Sequence, residues 1–186
     1  MARYSRKLEN VMKKYIDYGE HTNRLRALLN NESVESRYNL LMDVRVEKPL
    51  SSWTGLDEGA RVDDLESIRC LLDGFPPDKK YDTLTRQCYD GRTPLHYAAF
   101  GGHSSIMTYL MADLSQQQKY DVLAIQDMGG DTALHKAEAY RAILVLISGH
   151  LQLKLLNVKN KYRKSPADIR PELIEEFPLA TAHGGI

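Results

Sequence analysis

The amino-acid sequence predicts an all-α solenoid built from a repeated unit, and three observations predict it. Leu71 to Thr93 aligns without a gap on Leu110 to Thr132, at a spacing of 39 residues. Lys80-Tyr81-Asp82 then falls on Lys119-Tyr120-Asp121, Leu84 on Leu123, Gln87 on Gln126 and Gly91 on Gly130. Weaker copies flank this pair. Leu28-Leu29, Arg37-Tyr38-Asn39 and Leu41 precede their counterparts by 43 residues, while Leu155-Leu156, Asn160 and Ser165-Pro166 follow theirs by 33. Finally, 186 residues with 42% hydrophobic side chains are enough to bury a core. Internal periods of this length mark stacks in which each unit covers its apolar stripe with a neighbour.

The elements follow in chain order. Residues 1–23 are expected to form an N-terminal capping helix, with Leu8, Val11, Met12, Tyr15 and Ile16 at helical spacing on a charged segment. Residues 24–177 are the predicted stack of about four repeats, two clear and two degenerate. The first copy carries extra residues around Ser51 to Gly59, including the single tryptophan, Trp53, so an irregular helix is expected there. In the clearest unit Thr93 is a hydroxyl cap and Pro94 stands at the first helical position, where a missing N–H costs nothing. Gly101-Gly102 ends that helix. His103 to Met111 is a second helix with Ile106, Met107, Leu110 and Met111 on one stripe.

Ser115 with Gln118 has capping-box spacing and opens a third, short helix carrying Tyr120, Leu123 and Ala124. Asp127-Met128-Gly129-Gly130-Asp131 is a finger-like turn. The unit starting at Thr132 is short between His135 and Leu155, which predicts a displaced or clipped second helix at Ala142 to Ser148. Pro171 to Phe177 reads as a Pro-started capping helix closing the stack, and residues 178–186 as a flexible tail.

Thr93-Pro94-Leu95-His96-Tyr97-Ala98 is a complete T-P-L-H-x-A, followed by Gly102-His103. Thr132-Ala133-Leu134-His135-Lys136-Ala137 repeats it with one change, and Ser165-Pro166-Ala167-Asp168 and Lys48-Pro49-Leu50-Ser51 look like degraded copies. These motifs resemble the ankyrin-repeat family. The units here are longer than the usual 33 or so residues of that family, and the excess lies in the predicted third helix. The resemblance implies protein recognition through the concave face, formed by the fingers and by the residues after the second alanine of the signature. Carried over, those positions are Tyr89, Asp90, Arg92, Phe100 and Gly101, then Met128, Gly129, Asp131, Ala139 and Tyr140, and finally Lys161, Tyr162 and Lys164.

Tyr89, Phe100, Tyr140 and Tyr162 are the expected aromatic anchors, since aromatic residues supply large contact area at low entropic cost. The alternative is that Phe100 and Tyr140 fold down onto the stack. Lys159, Lys161, Arg163 and Lys164 crowd the last finger with positive charge. A solvated face accounts for this, and an acidic or phosphorylated partner segment is the second reading.

Charge is balanced at 25 basic against 25 acidic residues, so no overall field draws in nucleic acid or anionic lipid. No apolar run spans a membrane and the N-terminus shows no secretory pattern, so an intracellular, cytoplasmic location is expected. Cys70 and Cys88 make neither a disulfide framework nor a zinc site. Cys70 is placed in the core, and Cys88 on an exposed finger where Arg86 and Arg92 modestly favour the thiolate. His96 and His135 lie one repeat apart, beyond shared ligation of a metal. The resemblance makes each a hydrogen-bonding spacer between units.

Gly101-Gly102 and Gly129-Gly130 match no phosphate-loop pattern. No cofactor, metal, nucleic acid or membrane is expected, and no catalytic set can be assembled. The predicted function is binding of a protein partner. A structural spacer or intramolecular cover within a larger protein is the alternative, with an enzyme a more distant one.

Overall fold

A computed structural model describes residues 22–42, 54–138 and 140–173. The described residues form eleven helices and no strand: α1 (Thr22–Leu29), α2 (Val34–Met42), α3 (Gly55–Arg61), α4 (Leu65–Leu72), α5 (Pro77–Thr85), α6 (Pro94–Phe100), α7 (Ser104–Met111), α8 (Gln116–Leu123), α9 (Tyr140–Leu144), α10 (Gly149–Leu156) and α11 (Pro166–Ile169). They sort into three rows. α3 packs on α6 in the first row, and α1 on α4 and α7 on α9 in the second. In the third, α2 packs on α5, α5 on α8 and α8 on α10. The third helix expected between Ser115 and Ala124 is therefore present as α8, and it has counterparts in α2, α5 and α10.

The helices begin where local chemistry favours it. Ser115 caps α8 in a capping box with Gln118, and Ser165 caps α11 with Asp168. Pro77, Pro94 and Pro166 stand in first turns. The repeat spacing then sends equivalent side chains into one core. Leu56, Leu95 and Leu134 are fully buried at the same signature position, as are Leu71, Leu110 and Ile143 in the second row. Leu84, Leu123 and Leu156 line the third. Each such side chain contributes about 1.5–3 kcal/mol relative to exposure.

A buried cation ties successive units. Lys80 on α5 donates through Nζ to the Tyr109 carbonyl at 2.9 Å and to Asp113 at 3.0 Å, at the C-terminal end of α7. One unit earlier Arg37 on α2 donates to the carbonyls of Cys70 at 2.5 Å and Asp73 at 2.6 Å, at the end of α4. Each satisfies carbonyls that a helix end leaves without intrahelical partners, and each complements the helix dipole.

Two expectations need correction. Residues 54–59 are no irregular insertion: Thr54 opens α3 with a capping box to Asp57, 39 residues before Thr93. Thr54-Gly55-Leu56-Asp57 thus occupies the signature position, while Lys48 to Ser51 lies outside the described residues. Proline and histidine are both replaced there, which hides the copy. In the Thr132 unit the first helix shrinks to a turn over residues 133–136 and the second to the five residues of α9, a stronger clipping than expected. Residues 1–21, Trp53 and 174–186, with most of both expected caps, are outside the described residues. Leu173 is fully buried.

Candidate protein-binding face

The site is built on a tie repeated from unit to unit. Nδ1 of His96 accepts the Thr93 N–H at 3.2 Å and lies 2.9 Å from Thr93 Oγ1. An imidazole nitrogen that accepts carries no proton, so Nε2–H is the donor, and it reaches the Asp131 carbonyl of the next finger at 3.1 Å. His135 repeats this with Thr132 N–H at 2.9 Å and the Lys164 carbonyl at 3.1 Å. Burial pushes both histidines below the ordinary imidazole range, which preserves the neutral tautomer the tie requires. Their role is that of spacers.

Each finger is tied internally and then to its neighbour. In the second, Asp127 Oδ1 accepts the N–H groups of Gly129 at 2.8 Å and Asp131 at 3.0 Å. In the third, Asn160 Oδ1 does the same for Tyr162 and Lys164, both at 3.0 Å. Met128 N–H donates to the Asp90 carbonyl at 2.9 Å and Lys161 N–H to the Gly129 carbonyl at 3.1 Å, so the fingers form one ridge. Gln87 and Gln126 each bridge their own finger to the next. The close approach dictates glycine. Gly91 and Gly130 have φ of +78° and +77°, and a Cβ there would meet the next finger's backbone nitrogen at 2.8 and 2.7 Å.

The first finger carries Cys88 where the others carry Asp127 and Asn160. Its thiol lies 2.8 Å from Asp90 Oδ1 and 3.3 Å from the Tyr97 hydroxyl, and Asp90 also accepts the Arg92 N–H at 3.1 Å. Asp90 thereby takes over the turn-closing role. Cys88 is buried, not exposed, and burial together with the Asp90 carboxylate pushes its thiol up to about 11. The expectation of a favoured thiolate is therefore wrong: the nearby arginines are outweighed by burial and by a carboxylate in contact. Cys70 is half-buried against the core.

The expected binding residues divide by exposure. Tyr89, Phe100, Met128 and Tyr162 are 52%, 66%, 64% and 78% exposed, too open to be core residues. Phe100 thus does not fold down. Lys161 and Lys164 are exposed as well. Arg92 and Asp131 sit deeper, Arg92 beside Asp90 and Asp127 at 3.3 and 3.5 Å, and Asp131 between Lys136 at 2.6 Å and Asn160 at 2.7 Å. Burial opposes ionisation of Asp131, but hydrogen bonds from Lys136 and Asn160 hold its carboxyl below the usual range. Tyr140 is half-buried at the start of α9, with the guanidinium groups of Arg141 and Arg170 each 5.6 Å from its ring centre, and it packs against the core.

Between fingers and first row lies a depression of about 80 Å³ lined by Arg92, Phe100, Asp127, Ala133 and Lys136 among others. Ala133 and Lys136 were missed in the sequence because both lie inside the signature, Ala133 at its proline position and Lys136 at its unspecified one, and were read only as part of that motif.

A family model described as ankyrin repeats, in three copies, matches residues 56–154, more than half of the chain. The chain belongs to the ankyrin-repeat family. Ankyrin repeats are in general protein–protein interaction modules and typically non-enzymatic. Comparison with curated proteins finds no match. Among the described residues of this ankyrin-repeat protein no three His, Cys, Asp or Glu side chains converge as a metal site requires, and no helix is long and apolar enough to cross a membrane.

Proposed function

We propose that this ankyrin-repeat protein binds a protein partner along the face made by its fingers and first-row helices, the concave face of the family. One observation carries the reading. Phe100, at the end of α6, stands open and lines the depression, and Tyr89 and Met128 stand open on the two fingers whose Arg92, Asp127 and Asp131 also line it. Large apolar side chains held in solvent beside a groove are what a partner's hot spot requires. Arg92, Asp90 and Asp131 shape the rim, and Lys161, Tyr162 and Lys164 extend it. Tyr140, held between two arginines, acts as a support for this face.

The test is partner capture from cell lysate with the wild-type chain beside a Tyr89→Ala, Phe100→Ala, Met128→Ala variant, both shown equally helical by circular dichroism. A partner retained by the first and lost by the second supports the assignment. Equal capture by both, or none by either, overturns it and favours a spacer within a larger protein.

A further inference from the structure

The three fingers among the described residues differ in how their charges are compensated, and the difference points to the chemistry of the partner. In the first finger Arg92 faces Asp90 and, across the ridge, Asp127. In the second, Asp131 is matched by Lys136. Across these two fingers three aspartates thus face two cations, so neither finger carries an excess of positive charge. The third finger carries Lys159, Lys161, Arg163 and Lys164 within six residues, all exposed, and the aspartate that closes the second finger is replaced by Asn160. The amide closes the turn through the same oxygen, so the fold loses nothing while the finger loses a negative charge. The acidic side chain closest in sequence is Asp168, whose carboxylate is already engaged by the Ser165 N–H at 2.8 Å and hydroxyl at 2.9 Å. It lies on α11, and Lys159 and Lys164 help hold its pKa down.

This cationic finger is continuous with the apolar ridge. Lys161 occupies the position of Tyr89 and Met128 in the two preceding fingers, and its N–H is bonded to Gly129. Extending the concave-face reading, on which this inference rests, we propose that the partner is an extended protein segment with an apolar anchor and, beside it, a run of aspartate or glutamate. The anchor seats against Phe100 at the depression and against Met128 on the adjoining finger, and the carboxylates face Lys159, Lys161, Arg163 and Lys164. Carboxylates suit this finger better than a phosphate does. Three of the four cations are lysines, point charges spread along an exposed turn, whereas a phosphate dianion is best met by converging, bidentate arginines. Complementary charge of this exposed kind sets orientation and association rate, and it weakens with salt.

The test starts from a displayed library of random twelve-residue peptides selected on the wild-type chain. Fluorescein-labelled winners are titrated by anisotropy against three proteins of equal helicity: wild type, Lys161→Glu with Arg163→Glu and Lys164→Glu, and Tyr89→Ala with Phe100→Ala and Met128→Ala. Winners are expected to carry two or more acidic residues next to an aromatic or aliphatic one. Charge reversal should weaken them by about tenfold or more, as should a rise in salt from 50 to 500 mM. A peptide with its acids exchanged for lysines should bind the reversed finger better than it binds wild type.

Winners without acidic bias, or indifferent to charge reversal yet lost on the apolar triple variant, overturn the acidic partner and leave the concave face standing. Winners indifferent to both variants, or no winners at all, overturn both. A labelled 20-nucleotide single strand or a phosphorylated peptide that binds through the third finger where acidic peptides fail overturns the proposal as well.

Discussion

At the residue scale the most consequential substitution is Asp57, which stands where His96 and His135 stand in later units. Its Oδ2 accepts the Thr54 N–H and hydroxyl, each at 2.8 Å, but the shorter side chain leaves buried Oδ1 without a hydrogen-bond partner. Burial raises this carboxyl to about 7, against the opposing hydrogen bonds from Thr54. Between the ordinary aspartate range and pH 7 the folded protein holds a proton that the unfolded chain has released. The contribution of Asp57 to stability is therefore lost as pH rises through about 7. Asp57→Asn keeps the accepting oxygen and removes the charge. It should be more stable than wild type by about 1–3 kcal/mol at pH 8, an advantage that shrinks by pH 5. Urea titrations at the two pH values measure it, and a difference independent of pH refutes the buried carboxylate.

Two further positions form a natural contrast. Gly130 and Arg163 share the left-handed conformation, with φ of +77° and +60°. Only Gly130 is approached by another finger. Gly130→Ala should cost at least about 2 kcal/mol, because strain and a backbone clash add, whereas Arg163→Gly should gain up to about 1 kcal/mol by relieving strain alone. Thermal unfolding of both variants reads the signs.

At the element scale the third helix is what distinguishes these units, and the cation on it explains how it is held. Lys80 is buried against the end of α7, while Lys119, its counterpart one unit later, is half-exposed. Lys80→Met should therefore cost about 1–3 kcal/mol by leaving the Tyr109 carbonyl and Asp113 without that partner. Lys119→Met should stay within about 0.5 kcal/mol. Chemical denaturation of the pair decides it, and equal effects sink the assignment of a tying role to Lys80.

Legibility also divides at this scale. The third helix and the capping box at Ser115 could be read from residue spacing, because each rests on local chemistry, while the histidine ties could be read only through the resemblance of the motifs that carry them. The Thr54 unit could not, since glycine and aspartate replace the two residues that make the signature recognisable, and only packing reveals the shared role. Nor could the burial of Cys88: a cysteine between arginines looks exposed and activated until Asp90 and Tyr97 are seen to enclose it. Tyr140 shows the same limit, as nothing in its surroundings along the chain announces Arg170.

At the scale of the whole molecule, stability is a sum over neighbours. Units touch through row contacts, finger ridges and histidine ties, all between consecutive copies. In such a stack a central unit is held from both sides. Amide hydrogen exchange should therefore be slowest in α6 and α7, whose Leu95, Ala98, Ile106, Met107 and Leu110 are fully buried, and faster by at least tenfold in α9. Uniform protection across α6 to α9 argues against nearest-neighbour behaviour.

The three-row depth has a mechanical consequence. An elongated body resists bending far more steeply than in proportion to its thickness, and the row α2, α5, α8 and α10 thickens this one behind the proposed recognition surface. A stack of helix pairs can flex like a leaf spring to follow whatever settles in its curve. A stack of helix triplets behaves as a braced arch. On the proposed face it would make a bound segment do the conforming, spend little energy on its own deformation, and turn away segments whose side-chain spacing does not match the pitch of its fingers.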